Sequence, residues 1–207
     1  MSHRPIVLSL ALCVLLPYGA RAQHFTSAAK ITHLPAPVAL DSAGRFQSTI
    51  ARVGDDVFVG GQPTERALRE MKAQGVTTVV NLRTPEEMKR SVNFDEAALV
   101  SQLGMKYVYI PMRGNSEFPY SPDAVTKFSN AVRESSGKVL LHCTIGWRAS
   151  HLWAAYLIKE RGIPVDEALA NARAIGLMDE HRMGNNGRQP VEDLLGRDLP
   201  TLGHPHS

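Results

Sequence analysis

Short apolar strands alternate with helical segments that end at glycine along most of this chain. The runs "VTTVVNL" at 76–82 and "KVLLH" at 138–142 are typical of buried strands. Segments with apolar residues at helical spacing lie between such runs and stop at Gly75, Gly104 and Gly162. Regular alternation of this kind predicts an α/β fold of three layers, in which a mostly parallel central sheet is flanked by helices.

The first 22 residues have the pattern of a secretory signal peptide. A positively charged start is followed by the apolar run "IVLSLALCVLLPYGA" and by Ala20-Arg21-Ala22, which fits an A-x-A cleavage site. Cleavage is therefore predicted before Gln23, and the mature protein is expected in the periplasm or outside the cell. No further segment is apolar enough to predict stable membrane insertion.

The rest of the chain is predicted to be one domain with two flanking segments. Residues 23–44 are rich in proline and small residues and are predicted to form a flexible lead-in. Residues 45–195 carry the alternating strands and helices and form the predicted domain. Residues 196–207 are predicted to be a flexible tail. No signal for the oligomeric state is present in the sequence.

Charge and cysteine content limit the classes of function that this chain can have. The formal charge of +3 includes Arg4 and Arg21, so the mature chain is close to +1, and its basic residues are scattered. Binding to nucleic acid is therefore not predicted. Once residues 1–22 are removed, Cys143 is the only cysteine. In an oxidising compartment an unpaired cysteine is either a buried apolar residue or a reactive thiol.

The residues around Cys143 favour a reactive thiol. The segment "HCTIGWRAS" at 142–150 places Cys143 directly after a strand and before a long helix. Ligands of open α/β sheets bind at the carboxyl ends of strands, next to the following helix N-terminus. Gly146 permits a loop whose backbone N–H groups turn inward to hold an anion, which also favours the thiolate. Arg148 can donate two parallel hydrogen bonds to a tetrahedral oxyanion.

The segment "VLLHCTIGWRAS" resembles the phosphate-binding loop of cysteine-dependent protein phosphatases, in which His-Cys is followed by glycine and arginine. The runs "GGQPTERALREMKAQGVTTVVNLRTPEE" and "LGMKYVYIPM" extend the likeness over residues 46–178. In that order they resemble bacterial beta-lactamase-hydrolase-like phosphatase domains, compact relatives of dual-specificity phosphatases in the protein tyrosine phosphatase superfamily.

The resemblance implies a cysteine-phosphatase-like fold and hydrolysis of phosphate monoesters through a phosphocysteine intermediate. Cys143 would be the nucleophile, and Arg148 with the loop residues Thr144, Ile145, Gly146 and Trp147 would bind phosphate. Ser150 stands where the phosphatases place a Ser or Thr that assists the leaving thiolate. The implied substrate is a phosphorylated protein or a small phosphate ester, and no cofactor is implied.

Two departures from the phosphatase pattern leave alternatives open. Only four residues separate Cys143 from Arg148, where typical cysteine phosphatases have five. A spacing of four also resembles rhodanese-like sulfurtransferases, which carry a persulfide on the cysteine. A catalytically silent anion-binding module is the third alternative.

The second departure concerns the general acid. The phosphatases usually place an aspartate after the "IP" strand, but the corresponding stretch here is "IPMRGNSEFPYSPD". Glu117 is the better acid candidate in this stretch, because Asp123 is explained by a place in the first turn of a helix for which Ser121 is the expected N-cap. An ordinary solvated loop carboxylate is the alternative for Glu117. Arg83 follows the "VVNL" strand and either contacts substrate or forms a surface ion pair with Glu86 or Glu87.

Histidines add little to this assignment. His142 precedes the nucleophile and is expected to hold the loop by hydrogen bonding or to be a satisfied core residue, since its side chain points away from Cys143. His204 and His206 indicate metal only weakly, and no zinc-ligand spacing is present, so no metal site is predicted.

Overall fold

The computed structural model describes residues 34–176 and 188–200. One six-stranded sheet, in the order β1-β2-β3-β6-β4-β5, runs through the centre. Strands β3, β6, β4 and β5 are parallel, and β1 and β2 extend the sheet by antiparallel pairing. The strands are β1 Val38–Ala39, β2 Ile50–Val53, β3 Val57–Gly60, β4 Val76–Asn81, β5 Lys106–Tyr109 and β6 Lys138–His142.

Seven helices cover the two faces of this sheet in the described ranges. They are α1 Glu65–Ala73, α2 Pro85–Ser91, α3 Glu96–Gln102, α4 Pro122–Glu134, α5 Trp147–Glu160, α6 Val165–Ile175 and α7 Gln189–Leu195. The predicted three-layer α/β fold with a mostly parallel sheet is confirmed. None of these helices is both long and apolar enough to cross a membrane.

Strand alternation divides the core into two clusters, one on each face. In β6, Val139 and Leu141 pack with apolar residues of α4, α5, α6 and α7, whereas Leu140 packs with those of α1 and α3. Successive strand side chains point to opposite faces, so a strand that is apolar on both faces must lie between two helix layers. The central position of β6 therefore follows from its sequence, and it puts residue 143 at the middle of the sheet's carboxyl edge.

The lead-in predicted for 23–44 is partly ordered. Val38–Ala39 pairs with β2 as an edge strand, and Leu34 is buried in the core. The Leu34 N–H donates to the Glu167 carboxylate of α6 at 3.1 Å, and Asn171 donates to the Pro35 carbonyl at 3.1 Å. Residues 34–44 therefore pack onto the domain, while residues 1–33 and 201–207 lie outside the described residues.

Two local features differ from the sequence-based expectation. The patterns above do not predict helix α2, although Thr84 and Glu87 form a reciprocal capping box with Pro85 at the first helical position. Ser121 does stand at the start of α4, but its side chain makes no capping hydrogen bond.

Candidate active site

Cys143 lies where the central strand ends and the loop to α5 begins. Its side chain is buried, with 1% of the residue exposed. Gly146 starts α5 with a φ of 92°, and a Cβ there would stand 2.8 Å from the Thr49 hydroxyl. Any other residue at 146 would strain the backbone, and its Cβ would collide with Thr49. This turn of the loop therefore requires glycine.

Neighbouring main chain holds the first half of the loop. The Gln62 N–H donates to the Thr144 carbonyl at 2.9 Å, and the Cys143 N–H donates to the Gly60 carbonyl at 3.2 Å. Gly61 makes this approach possible, because a Cβ there would fall 1.6 Å from the Gln47 carbonyl oxygen. The "GGQPT" segment therefore supports the loop that carries the cysteine.

Several N–H groups of the loop are left for a ligand. Those of Thr144, Ile145, Trp147 and Arg148 donate no backbone hydrogen bond within the described residues. They surround the N-terminus of α5, a helix of 14 residues. Unpaired N–H groups at a helix N-terminus bind anions through direct donation and the helix dipole.

Arg148 forms a bidentate ion pair that sequence reasoning missed. Its Nη2 and Nη1 donate to Oε1 and Oε2 of Glu87 at 2.7 and 2.9 Å, and only 7% of Arg148 is exposed. Nη1 also donates to the carbonyls of Met112 and Leu82 at 2.8 and 3.3 Å, and Nη2 to the Thr144 hydroxyl at 3.0 Å. The two-donor fork expected to hold an oxyanion is therefore engaged with Glu87, and Nε is the Arg148 donor without a partner among the described residues.

Both members of this pair are held in their charged forms. Burial alone would raise the pKa of Glu87, but hydrogen bonds from Arg148 and from the Thr84 N–H outweigh burial and lower that pKa to about 2. Burial likewise opposes the charge of Arg148, and the hydrogen bond to Glu87 outweighs it, so the pKa of Arg148 is raised. The half-exposed Arg113 approaches the same carboxylate at 3.7 Å.

Arg83 lies beneath the loop, where 1% of it is exposed. Its Nη1 donates to Gln62 at 2.7 Å, and its Nη2 donates to the main-chain carbonyl of Glu87 at 3.0 Å. Burial is the main cause of its lowered pKa. Of the two alternatives for Arg83, the surface ion pair with Glu86 or Glu87 does not form in the described part of the chain. The contact with substrate stays a prediction.

The structure places the other predicted residues at different depths. Ser150 is fully buried, and its hydroxyl donates to the Trp147 carbonyl at 2.7 Å. Trp147 is half-buried and packs edge-on against the His151 ring. Ile145 is 39% exposed at the loop, and Glu117 is exposed in the segment after β5.

His142 has a buried partner that the sequence does not reveal. Its Nε2 lies 3.0 Å from Oε1 of Glu96 in α3, and both side chains are fully buried. Glu87 could have been found from the Thr84-x-x-Glu87 capping box, which predicts a helix start beside the "VVNL" strand. Glu96 carries no comparable signal, since a first-turn glutamate is usually solvated.

Within residues 34–176 and 188–200, no group of His, Cys, Asp and Glu is arranged to hold a metal ion. His204 and His206, the weak metal candidates, lie outside the described residues.

Comparison with known proteins finds similarity to beta-lactamase hydrolase-like proteins. Beta-lactamase hydrolase-like protein of Xylella fastidiosa strain Temecula1 is 27% identical over 128 residues, which are 61% of this chain and 29% of that protein. This chain thus spans less than a third of the curated relative's length.

Two solved structures share the fold. TpbA of P. aeruginosa superposes with a TM-score of 0.57 at 21% identity, covering 79% of this chain and 91% of TpbA. A DUF442 protein of Shewanella putrefaciens gives a TM-score of 0.55 at 22% identity, covering 75% and 93% of the two chains.

A family model described as "DSP-PTPase phosphatase fused to NAD+ Kinase" matches residues 30–187. That range is well over half of the 207-residue chain and includes all six strands described above, the cysteine loop and helices α1 to α6. The protein is therefore a member of this DSP-PTPase phosphatase family.

Proposed function

We propose that the protein hydrolyses phosphate monoesters through a covalent intermediate on Cys143. The observation that carries the proposal is the position of Cys143 at the carboxyl end of β6, beside unpaired loop N–H groups at the N-terminus of α5. That arrangement joins a nucleophile to an anion site. A TpbA variant has been crystallised with phosphotyrosine, which supports a phosphorylated protein or small phosphate ester as substrate.

In the proposed first step the Cys143 sulfur forms a bond to phosphorus while the ester P–O bond breaks. The leaving oxygen takes a proton from a general acid. Loop N–H groups and Nε of Arg148 donate to the phosphoryl oxygens, which carry the charge of the transition state. In the second step water attacks phosphorus and gives a proton to the conjugate base of the general acid, the S–P bond breaks, and the thiolate returns as phosphate leaves. Ser150 assists that departure once its hydroxyl turns from the Trp147 carbonyl.

The ion pair between Glu87 and Arg148 has a specific part in this mechanism. It fixes the guanidinium next to the loop. Nη1 and Nη2 donate to Glu87, and Nε remains available to donate to the substrate. A preorganised donor needs no rearrangement when charge develops, which is the main source of electrostatic catalysis. Glu87 is therefore proposed to position Arg148 and not to touch the substrate.

One assay separates this function from the sulfur-transfer alternative that the four-residue spacing keeps open. Purified protein lacking residues 1–22 is given p-nitrophenyl phosphate in one reaction and thiosulfate with cyanide in another. We expect release of p-nitrophenol and no thiocyanate. Thiocyanate formation without phosphatase activity would assign the protein to sulfur transfer, and binding of phosphate without either reaction would indicate a silent module.

Glu117 is proposed as the general acid, since it is a carboxylate in the exposed segment between β5 and α4. Replacement of Glu117 by Gln should lower kcat on an alkyl phosphate by about 10²-fold, the usual size of a lost general acid. The loss on p-nitrophenyl phosphate should be much smaller, because that leaving group needs little protonation. Glu86→Gln, a change at another exposed glutamate, serves as control. Equal losses on both substrates would remove Glu117 from this role.

Export is proposed from the pattern of residues 1–22. Expression of the full chain in a Gram-negative host should give periplasmic protein whose mass corresponds to an N-terminus at or near Gln23. A double change of Ala20 and Ala22 to bulky residues should block this processing. Periplasmic protein that keeps its first residues would contradict the assignment.

A further inference from the structure

A buried set of polar side chains lies directly beneath the Cys143 loop. We call Gln62, Asn81, Arg83, Glu96 and His142 the subloop network. Each is at most 7% exposed. Buried polar groups are costly unless every donor meets an acceptor, so the direction of each hydrogen bond here is constrained.

Arg83 sets the direction of the bonds made by both amides. A guanidinium only donates, and Nη1 of Arg83 lies 2.7 Å from Oε1 of Gln62. Nε2 of Gln62 must therefore be the atom that faces Oε2 of Glu96, to which it donates at 2.5 Å. The main-chain N–H of Arg83 likewise donates to Oδ1 of Asn81 at 2.8 Å. The other amide atom of Asn81, Nδ2, therefore donates to Oε1 of Glu96 at 3.2 Å.

Glu96 accordingly accepts every bond it makes with this network. Both of its oxygens accept from amide N–H groups, Oε2 from Gln62 and Oε1 from Asn81, and such bonds favour the ionised carboxylate. An ionised carboxylate has no proton to donate, so Nε2 of His142 must carry the proton of the 3.0 Å bond. Arg83 thus determines, through two amides and one carboxylate, where the proton sits on the histidine next to the nucleophile.

The network continues into the loop through the main chain. His142 is the last residue of β6, and its carbonyl accepts from the Leu82 N–H at 3.0 Å. Gln62, at the other end, donates its own N–H to the Thr144 carbonyl at 2.9 Å. Residues on both sides of Cys143 are therefore held by members of the same network.

We propose that Glu96 and Gln62 are positioning residues for Cys143, which lock His142 in the Nε2–H form and hold the start of the loop in its reactive geometry. Neither side chain touches the substrate. The effect on catalysis rests on the phosphatase function proposed above, whereas the position of the histidine proton does not.

An exchange of amide and carboxylate tests this assignment. Gln62→Glu alone sets two carboxylates against each other, and Glu96→Gln alone sets two amide nitrogens against each other or forces His142 to move its proton. The double variant, Gln62→Glu with Glu96→Gln, again pairs a donor with an acceptor in the hydrogen bonds to Arg83 and His142 and between positions 62 and 96. Its carboxylate at position 62 accepts from Arg83 and from the amide at position 96, and the oxygen of that amide still accepts from His142. It loses only the 3.1 Å bond from Gln62 to the Pro63 carbonyl.

We expect kcat on p-nitrophenyl phosphate to fall on the order of 10-fold or more in each single variant, as is usual when outer-shell contacts to a reactive group are lost. KM should change less, because the phosphate-binding N–H groups remain. The double variant should recover most of the lost kcat. The ring ¹⁵N spectrum, assigned with a His142→Asn variant, should show Nε2 protonated in the wild type and in the double variant.

Asn171→Asp is the matched control. Asn171 is also buried and accepts from the Trp153 indole at 2.9 Å, but it lies on α6 and its hydrogen bonds go to Trp153 and Pro35, not to the Cys143 loop. This exchange should lower Tm without changing kcat, whereas a purely structural network would show the same behaviour at Gln62 and Glu96.

Two results would overturn the inference. The first is a wild-type spectrum in which His142 carries its proton on Nδ1 and none on Nε2. The second is a double variant whose fold-loss in kcat equals the product of the losses in the two single variants. The wild-type spectrum tests the proton assignment without any change at Gln62 or Glu96. If the wild type hydrolyses no phosphate ester, the proposed function fails, and the spectrum alone then decides the proton assignment.

Discussion

Serine in place of Cys143 should abolish turnover and leave phosphate binding nearly intact. The hydroxyl is not ionised at neutral pH, so it is a much weaker nucleophile than a thiolate and does not form the bond to phosphorus that the proposed mechanism requires. Loss of a nucleophile lowers kcat by on the order of 10³-fold or more. The anion site is built from backbone N–H groups and a helix N-terminus, which the substitution does not change.

The measurement has two parts. Release of p-nitrophenol should fall to background, and calorimetric titration should give a phosphate or vanadate affinity close to that of the wild type. Because Cys143 is 1% exposed and packs in the apolar core, the serine hydroxyl would be buried, so a modest fall in Tm is expected and is measured alongside binding. Phosphatase activity retained by the serine variant would show that Cys143 is not the nucleophile.

Lysine in place of Arg148 should also remove most of the activity. Arg148 reaches Glu87, Met112, Leu82 and Thr144 from two nitrogens, and Nε is left for the substrate. A single ammonium cannot reproduce that planar set of donors. The loss of one preorganised donor to a developing oxyanion lowers kcat by about 10²–10³-fold, and we expect an effect of that size.

The same substitution should change how stability depends on pH. The pKa of Glu87, about 2 in the folded protein, lies below the ordinary value near 4.3 of an unfolded chain. Its ionisation therefore contributes stability that is present above about pH 4 and is lost as the pH falls towards 2. With lysine at 148 the pair is weaker, so the free energy of unfolding at pH 7 should fall more than it does at pH 3.

Arg66→Lys is the matched control, because Arg66 pairs with Glu70 at 2.8 Å on an exposed helix surface. Urea unfolding at both pH values should show little effect of that exchange. If Arg148→Lys behaved like Arg66→Lys in kcat and in stability, the guanidinium would have no special part in the site.

The order of strands and helices is readable from the sequence because its signals are local. A β-branched run such as 76–81 is typical of a strand buried between layers, and a glycine after an apolar stripe ends a helix wherever the segment lies. The position of Cys143 at a strand end follows from the same patterns. These features need no knowledge of distant residues.

The partners of the site are not readable because they depend on tertiary contacts. Glu87 and Arg148 are 61 residues apart in the sequence, and Glu96 and His142 are 46 apart. A capping box predicts that Glu87 begins a helix, but only the packing of α2 beside the loop brings its carboxylate to Arg148. The burial of Arg83 is hidden for the same reason, since nothing in its sequence neighbourhood indicates a buried amide partner.

The central strand β6 also has a consequence for how the chain acquires its structure. It pairs with β3 and β4, yet it is the last of the six described strands to be synthesised. The parallel core of the sheet consequently cannot assemble until residue 142 of the 207 has been added to the chain. Such non-local pairing slows folding, because loop-closure entropy is lost before the contacts form. A nascent chain that waits for its sixth strand stays unfolded for longer, and late folding of this kind would suit the export proposed from residues 1–22.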